Sequence, residues 1–433
     1  MTSENGHISD GSASGGGTVT AKSFRRLLLV AGCLLLVNGY LTGQTLDDFR
    51  TTGNATFNSP ANWERYNGTA WVPAGAEPTV AAYTITIRNT HTVAVTVSTT
   101  LNQLVVEAGG ILTINAGITL TLFIGPGTDL DVSGTVNNSG SLSINAGATI
   151  VFNANSTYNH TRNGGTIPTA TWNPASNCNI TGITNSNALT GFNQVFGNFT
   201  WNCPGQTINF YMESDITIAG NLTVSATGAF DPNLRALRMS NSATGYTMTV
   251  NGNVVIQNNA TFKMNNGSGS CTVNVGGDLM INSGNFTIVT GAASSLVSVA
   301  GNVSILGGTL LMHEDNSSTI GTLDLKGNFT LSGTGTINEA NSGSGLIVFS
   351  NTSTNQTIYR SGGTITNTIN FTVNPDVTVV FGQADFLNGG GRFTLSNGAT
   401  MRTAHPSGIN GSVQTTLRTL SASANYTFNG TSV

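Results

Sequence analysis

Charge is what this sequence has least of. Asp, Glu, Lys and Arg make up 8% of its 433 residues, against roughly 25% in an average globular chain. Basic residues number 15 and the formal net charge is −4. A nucleic-acid partner requires a basic stripe, so none is expected. After residue 43 the only lysines are Lys263 and Lys326, and no apolar run there approaches the ~20 residues of a membrane span. Phosphate-loop and dinucleotide fingerprints are both missing, so no cofactor is expected.

Catalytic groups are equally sparse. The 5 histidines form no recognisable set with Ser and Asp. The nearest acidic pairs are Asp47/Asp48, Asp129/Asp131, Glu213/Asp215 and Glu314/Asp315. Glycoside hydrolysis needs two carboxylates flanking one bond. Acids meeting across stacked turns would recur at the repeat period, and these do not. Asp129 and Asp131 share a strand face, expected to be the outer one. His313-Glu-Asp-Asn316 holds residue types that bind cations, but no second cluster joins it, so no metal site is expected. The leading expectation is a chain without catalytic activity. A polysaccharide lyase or glycoside hydrolase is the alternative, because related architectures house both and fold alone does not decide function.

What is present is a repeat. Hydrophobic residues make up 38% of the chain, and they alternate, which argues for order rather than disorder. One phrase occurs five times between Ile216 and Leu331: Ile216-Thr-Ile-Ala-Gly-Asn-Leu-Thr-Val224, Met248-Thr-Val-Asn-Gly-Asn-Val-Val-Ile256, Val273-Asn-Val-Gly-Gly-Asp-Leu-Met-Ile281, Val297-Ser-Val-Ala-Gly-Asn-Val-Ser-Ile305 and Leu323-Asp-Leu-Lys-Gly-Asn-Phe-Thr-Leu331. Alternation on both sides of Gly-Asn means two short half-buried strands joined at a bend. Both residues tolerate positive φ, which is the expected reason for their presence. Asp278 replaces Asn at one bend for the same turn chemistry. Asn side chains at stacked bends are expected to form ladders.

The spacing of about 25 residues marks a solenoid. A further alternating segment in each unit, such as Ala260–Met264, makes three strands per turn with no helix. The fold class is therefore all-β, a parallel β-helix of about three strands per ~25-residue turn. Roughly 390 residues would give ~15 turns and a rod of ~70 Å at the ordinary strand spacing.

Three regions follow. Residues 1–43 have the pattern of a signal peptide: Arg25-Arg26, then the apolar run Leu27 to Val37, then small and polar residues. Cleavage is expected between Gly43 and Gln44. Leu29-Val-Ala-Gly-Cys33 offers lipidation at Cys33 as a competing outcome, although the apolar stretch ahead of it is short. Residues 44–98 form an N-terminal cap and the first strands, and 99–433 the β-helix. The sequence stops within a strand-and-turn unit, Asn425 to Val433, so a fragment truncated at its C-terminus is expected.

Few residues stand out as binding candidates. Trp63 and Trp71 fit either a cap packed on the first turn or an aromatic platform for sugar rings. Asp231, Arg235 and Arg238 lie in the long interval between Gly220 and Gly252, where an insertion maps to a loop on one face. They fit a binding loop or a solvated loop stiffened by an Asp231 salt bridge. Cys178 and Cys203 are one 25-residue period apart; a disulfide and two stacked core thiols both remain open. Cys271 reads as a buried thiol.

Several segments resemble large secreted adhesin-like β-helix proteins of Bacteroidota-type bacteria, cargo of the type IX secretion route. They are Ser59-Pro-Ala-Asn-Trp63, Ile85-Thr-Ile-Arg-Asn-Thr-His-Thr-Val93, Phe196-Gly-Asn-Phe-Thr-Trp-Asn-Cys203, Gln356-Thr-Ile-Tyr359 and Asn425-Tyr-Thr-Phe-Asn-Gly430. The resemblance implies a secreted or outer-surface location and a stalk or adhesin role. The uncharged Asn/Ser/Thr surface is compatible with extracellular polysaccharide or cell-surface glycan as a partner, and a pure spacer is the remaining alternative. The usual C-terminal sorting domain of such proteins is not in the sequence.

Overall fold

A computed structural model describes residues 43–231, 233–314, 319–340 and 344–430. The segment expected to act as a signal peptide, with Cys33, therefore lies outside the described residues, except Gly43 at the expected cleavage point. From Leu46 onward the chain forms one contact unit.

Alternation in the sequence becomes alternation in burial. The strand Ile216–Ile218 points Ile216 and Ile218 inward and Thr217 outward. Repeated turn after turn, this builds a parallel β-solenoid of about 13 turns, roughly 24 residues each. At the ordinary strand spacing the stack is ~60 Å long. The turn count falls below the expected one because the cap hairpins and the longer loops take residues out of the coils.

Each turn contributes to three faces. The first runs from Phe49–Thr51 through Leu104–Val106 to Thr171–Trp172, and resumes from Val195–Phe196 to Val413–Leu420. The second carries the strands after the Gly-Asn bends, such as Leu222–Ala226, Val254–Ile256 and Leu279–Ile281. The third is less regular. Thr99–Leu101, Thr119–Leu122 and Ser141–Ile144 make one short sheet. Gly165–Thr166 and Leu189–Thr190 make another, and pairing resumes at Phe210–Tyr211.

In-register pairing stacks like on like. Val224, Ile256, Ile281, Ile305 and Leu331 form one column through five turns, each fully buried. Burying such columns removes apolar surface from water at about 25 cal/mol per Å². Where turns carry aromatics they stack: Phe152 lies over Trp172 at 4.2 Å with planes 9° apart.

Antiparallel pairing closes the N-terminal end. Phe49–Thr51 pairs with Trp63–Tyr66, which pairs in turn with Trp71–Pro73. Phe49 also starts the parallel ladder, against Ile85.

The bends differ from expectation in an instructive way. None of Gly220, Gly252, Gly277, Gly301 and Gly327 has positive φ, nor do the Asn or Asp residues that follow them. Left-handed backbone falls instead to residues such as Asn155, Asn258 and Asn259. Glycine is required at the bends by close approach. A Cβ on Gly252 would lie 2.5 Å from Asn221 Oδ1, and one on Gly277 2.2 Å from Asn253 Oδ1.

That oxygen is busy. Asn221 N–H donates to Asn198 Oδ1 (2.9 Å), Asn253 N–H to Asn221 Oδ1 (2.8 Å), and Asp278 N–H to Asn253 Oδ1 (2.8 Å). Asn302 N–H donates to Asp278 Oδ1 (2.7 Å), Asn328 N–H to Asn302 Oδ1 (2.9 Å), and Thr357 N–H to Asn328 Oδ1 (2.8 Å). The expected ladder exists, but it is side chain to backbone, each rung satisfying a donor that the bend removes from the sheet. The step from Asn221 to Asn253 spans 32 residues and keeps the same geometry, so the extra residues of that turn leave the ladder intact.

Candidate binding surface

The sequence candidates fall into three separate places. At the N-terminal end Trp63 is buried and its Nε1 donates to the Phe57 carbonyl at 2.9 Å. Its ring meets Phe57 edge-on at 5.1 Å. This is the packing of a cap residue. Trp71 is half-buried, with the Arg50 guanidinium 4.1 Å from its ring centre and Tyr66 at 5.5 Å. Arg50 also pairs with Glu64 at 2.8 Å, so it is fixed over the ring by a cation–π contact and an ion pair together.

The insertion loop separates its three candidates. The Asp231 carboxylate accepts the N–H groups of Asn233 (3.1 Å) and Leu234 (3.2 Å), and its carbonyl accepts that of Arg235 (2.9 Å). This is a local turn. The expected Asp231 salt bridge is not among the three ion pairs of the described residues. A short polar side chain meets the nearby backbone more readily than a distant guanidinium. Arg235 donates to the Ala229 carbonyl at 3.3 Å, and Phe230 and Leu234 stand exposed beside it.

Arg238 is not in the loop. It lies in the third face, in register between Tyr211 and Lys263, and is buried. Its Nη1 donates to Asn266 Oδ1 at 2.8 Å. The Lys263 ammonium, buried, meets Glu314 Oε1 at 2.7 Å. Burial lowers the pKa of both cations, and Glu314 pulls each partly back. In a chain with so few charges, this is an internal electrostatic cross-link between turns.

Several members of the acidic pairs hold backbone N–H groups. Glu213 accepts the Asn241 N–H (2.7 Å) and Asp215 that of Thr247 (2.7 Å). Asp129 is buried at a corner, not outside, where it accepts N–H groups from Gly125 (2.6 Å) and Thr149 (2.7 Å). Asp131 is the outward member and accepts from Asn153. Of the His313–Asn316 excursion, Glu314 holds Lys263 and His313 Nε2 meets Thr319 Oγ1 at 2.8 Å; Asp315 and Asn316 lie outside the described residues.

Cys178 and Cys203 are free buried thiols, as is Cys271. Pairing explains why the first two do not meet. Cys178 sits opposite Phe199, because the local turn is 21 residues, not 25. Cys203 is thereby displaced along the neighbouring strand and its Sγ donates to the Ile180 carbonyl at 3.4 Å. Burial raises all three thiol pKa values, that of Cys203 to about 12.

Sequence reasoning missed one feature. Between Ser141–Ile144 and Gly165–Thr169 the third face opens into a cleft of about 490 Å³. A second hollow of about 250 Å³ continues it one turn back, past Ser139 and Gly140. Arg162 lines both and donates Nη1 to the Gly140 carbonyl. Beneath it lies a buried polar chain. Asn138 Nδ2 donates to the Tyr158 hydroxyl (2.9 Å), which meets His160 Nδ1 (3.1 Å), and His160 Nε2 meets the Gly164 carbonyl (2.8 Å). A carbonyl only accepts, so Nε2 carries the proton and Tyr158 donates to Nδ1. Burial lowers the His160 pKa to about 4, keeping the ring neutral. The available signal was the Asn163-Gly164-Gly165 run with Pro168, which interrupts strand alternation.

No protein-family model, no curated protein and no solved structure matches the chain. Among the described residues no helix is long and apolar enough to cross a membrane.

Proposed function

We propose that this chain is the stalk of a secreted or cell-surface protein, without catalytic activity and with the capacity to hold extracellular polysaccharide or cell-surface glycan. The observation that carries this reading is the continuous ladder from Asn198 to Thr357. The polar side chains that a binding or catalytic surface would aim at solvent are used to tie each turn to the next. The acids do the same local work: Glu213, Asp215 and Asp129 each hold backbone N–H groups. The product of that arrangement is length and persistence.

Outward rows elsewhere include neutral amides, such as Asn137, Asn159 and Asn179, whose side chains bond one another at 2.8 and 2.9 Å. Such rows match the hydroxyls of a glycan without long-range electrostatic attraction. The targeting pattern of residues 1–43 and the resemblance to type IX cargo support export. Size-exclusion chromatography with light scattering, on the chain mixed with a polysaccharide panel, tests the reading. Co-elution at unchanged polymer mass is expected; falling polymer mass would make it a glycan-cleaving enzyme instead.

A further inference from the structure

We propose that the break in the third face at Arg162 is a binding cleft for an acidic glycan, with the guanidinium recognising one anionic group. The inference rests on the glycan-binding reading above and gives it a site.

Four observations converge there. First, Ser141–Ile144 pairs only with Thr119–Leu122, so its other edge offers unpaired backbone donors and acceptors. Second, the core is uncovered at this edge. Leu120 and Leu122 are fully buried, whereas Leu142 and Ile144, stacked on them in register, are partly exposed. A strip of apolar surface beside hydrogen-bonding groups suits the C–H face of a sugar ring. Third, Ser141, Ser143, Thr166 and Thr169, all hydroxyl-bearing residues, line the same cleft.

Fourth, Arg162 bridges the break with a charge that no acid neutralises. It belongs to none of the ion pairs among the described residues. Its side chain lies against Gly165, where an added Cβ would come 2.8 Å from Nε, and one of its nitrogens is held by the Gly140 carbonyl. The guanidinium is thus oriented from both turns. It sits where the two hollows join, with room for sugar units on either side. A planar fork favours a carboxylate, as in a uronic acid, through two parallel hydrogen bonds; a sulfate ester presents related chemistry.

Binding of fluorescent oligogalacturonate, a sulfated oligosaccharide, a neutral oligosaccharide and oligoglutamate to the full chain tests this. The expected result is binding of the anionic glycans. Arg162→Gln weakens it at least tenfold, Arg162→Lys by less, and Thr169→Trp, which fills the cleft and leaves Arg162 untouched, abolishes it. Circular dichroism and thermal midpoints establish that each variant is folded, and Thr169→Trp decides the matter should Arg162→Gln not fold. A preference between the first two ligands assigns the anion as carboxylate or sulfate, both within the proposal. Glycan binding unchanged by Thr169→Trp overturns the site and leaves the stalk-and-glycan reading standing. Oligoglutamate bound as well as oligogalacturonate makes the cleft a peptide or general anion site, which also overturns it. Absence of all glycan binding sinks both readings together.

Discussion

Asp278 Oδ1 accepts the backbone N–H of Asn302 at 2.7 Å, in the position where Asn253 Oδ1 accepts the N–H of Asp278 itself at 2.8 Å. The relation passes from turn to turn, and at Gly220, Gly252, Gly277 and Gly301 an added Cβ would collide with the accepting oxygen of the turn before. Gly277→Ala should therefore cost about 1–3 kcal/mol through overpacking, and Asn253→Ala about 1 kcal/mol through a lost acceptor. The double variant should cost less than the sum, because the colliding oxygen is gone. Urea unfolding of all four proteins measures the coupling; strict additivity would refute this account of the glycine.

The buried Lys263 and the partly buried Glu314 should behave as one coupled pair. Glu314→Gln leaves the ammonium without its counter-charge and should cost about 3 kcal/mol. Replacing both, as Lys263→Met with Glu314→Leu, should restore much of that loss, since two desolvation penalties disappear along with one attraction. Thermal midpoints of the single and double variants report this directly.

His160 sets a pH dependence with a definite sign. Its folded pKa is lowered from 6.5 to about 4, so the unfolded chain takes up the proton first. The stabilising contribution is complete above pH 6.5 and is lost progressively as the pH falls toward 4, a change of about 3 kcal/mol. In His160→Gln that component of acid sensitivity should vanish. The gap in urea midpoint between wild type and variant should narrow from pH 7.5 to pH 4.5. A constant gap would mean that the ring is not held neutral.

The three buried thiols should be silent in the native protein. Burial both shields Cys178, Cys203 and Cys271 and disfavours their thiolates, and the thiolate is the reactive form. Site-resolved alkylation followed by mass spectrometry should label all three only after unfolding, with no reductant needed. Protection of Cys178 and Cys203 in the unfolded, unreduced chain would reveal a bridge.

Repetition made the architecture legible. The Gly-Asn phrase revealed bends, strands and ladder, because a solenoid applies one local rule many times. Its finer reasons were not legible. Positive φ was a sound expectation for any single glycine, and only the neighbouring turn reveals the Asn oxygen occupying the space of a Cβ. The Cys178–Cys203 spacing matched the average period but not the local one, set by a 21-residue turn. Arg238 reads as part of an insertion and sits in a buried column instead, since sequence does not mark where a loop rejoins its sheet. Trp63, one of two tryptophans open to either packing or sugar contact, is buried, whereas the cleft at Arg162 arises from a pairing that fails to form, which no single segment announces.

The ladder also defines how this molecule yields to tension. Its rungs connect adjacent turns only, each donor above and each acceptor below, so a pull on one end loads the terminal turn before any other. Turns should peel away one at a time, each releasing roughly 24 residues, or ~80 Å of extended chain. Between such events the remaining stack stays intact. Under load the stack is a series of sacrificial extensions, each about one turn long, able to lengthen stepwise while its unpeeled part keeps its form.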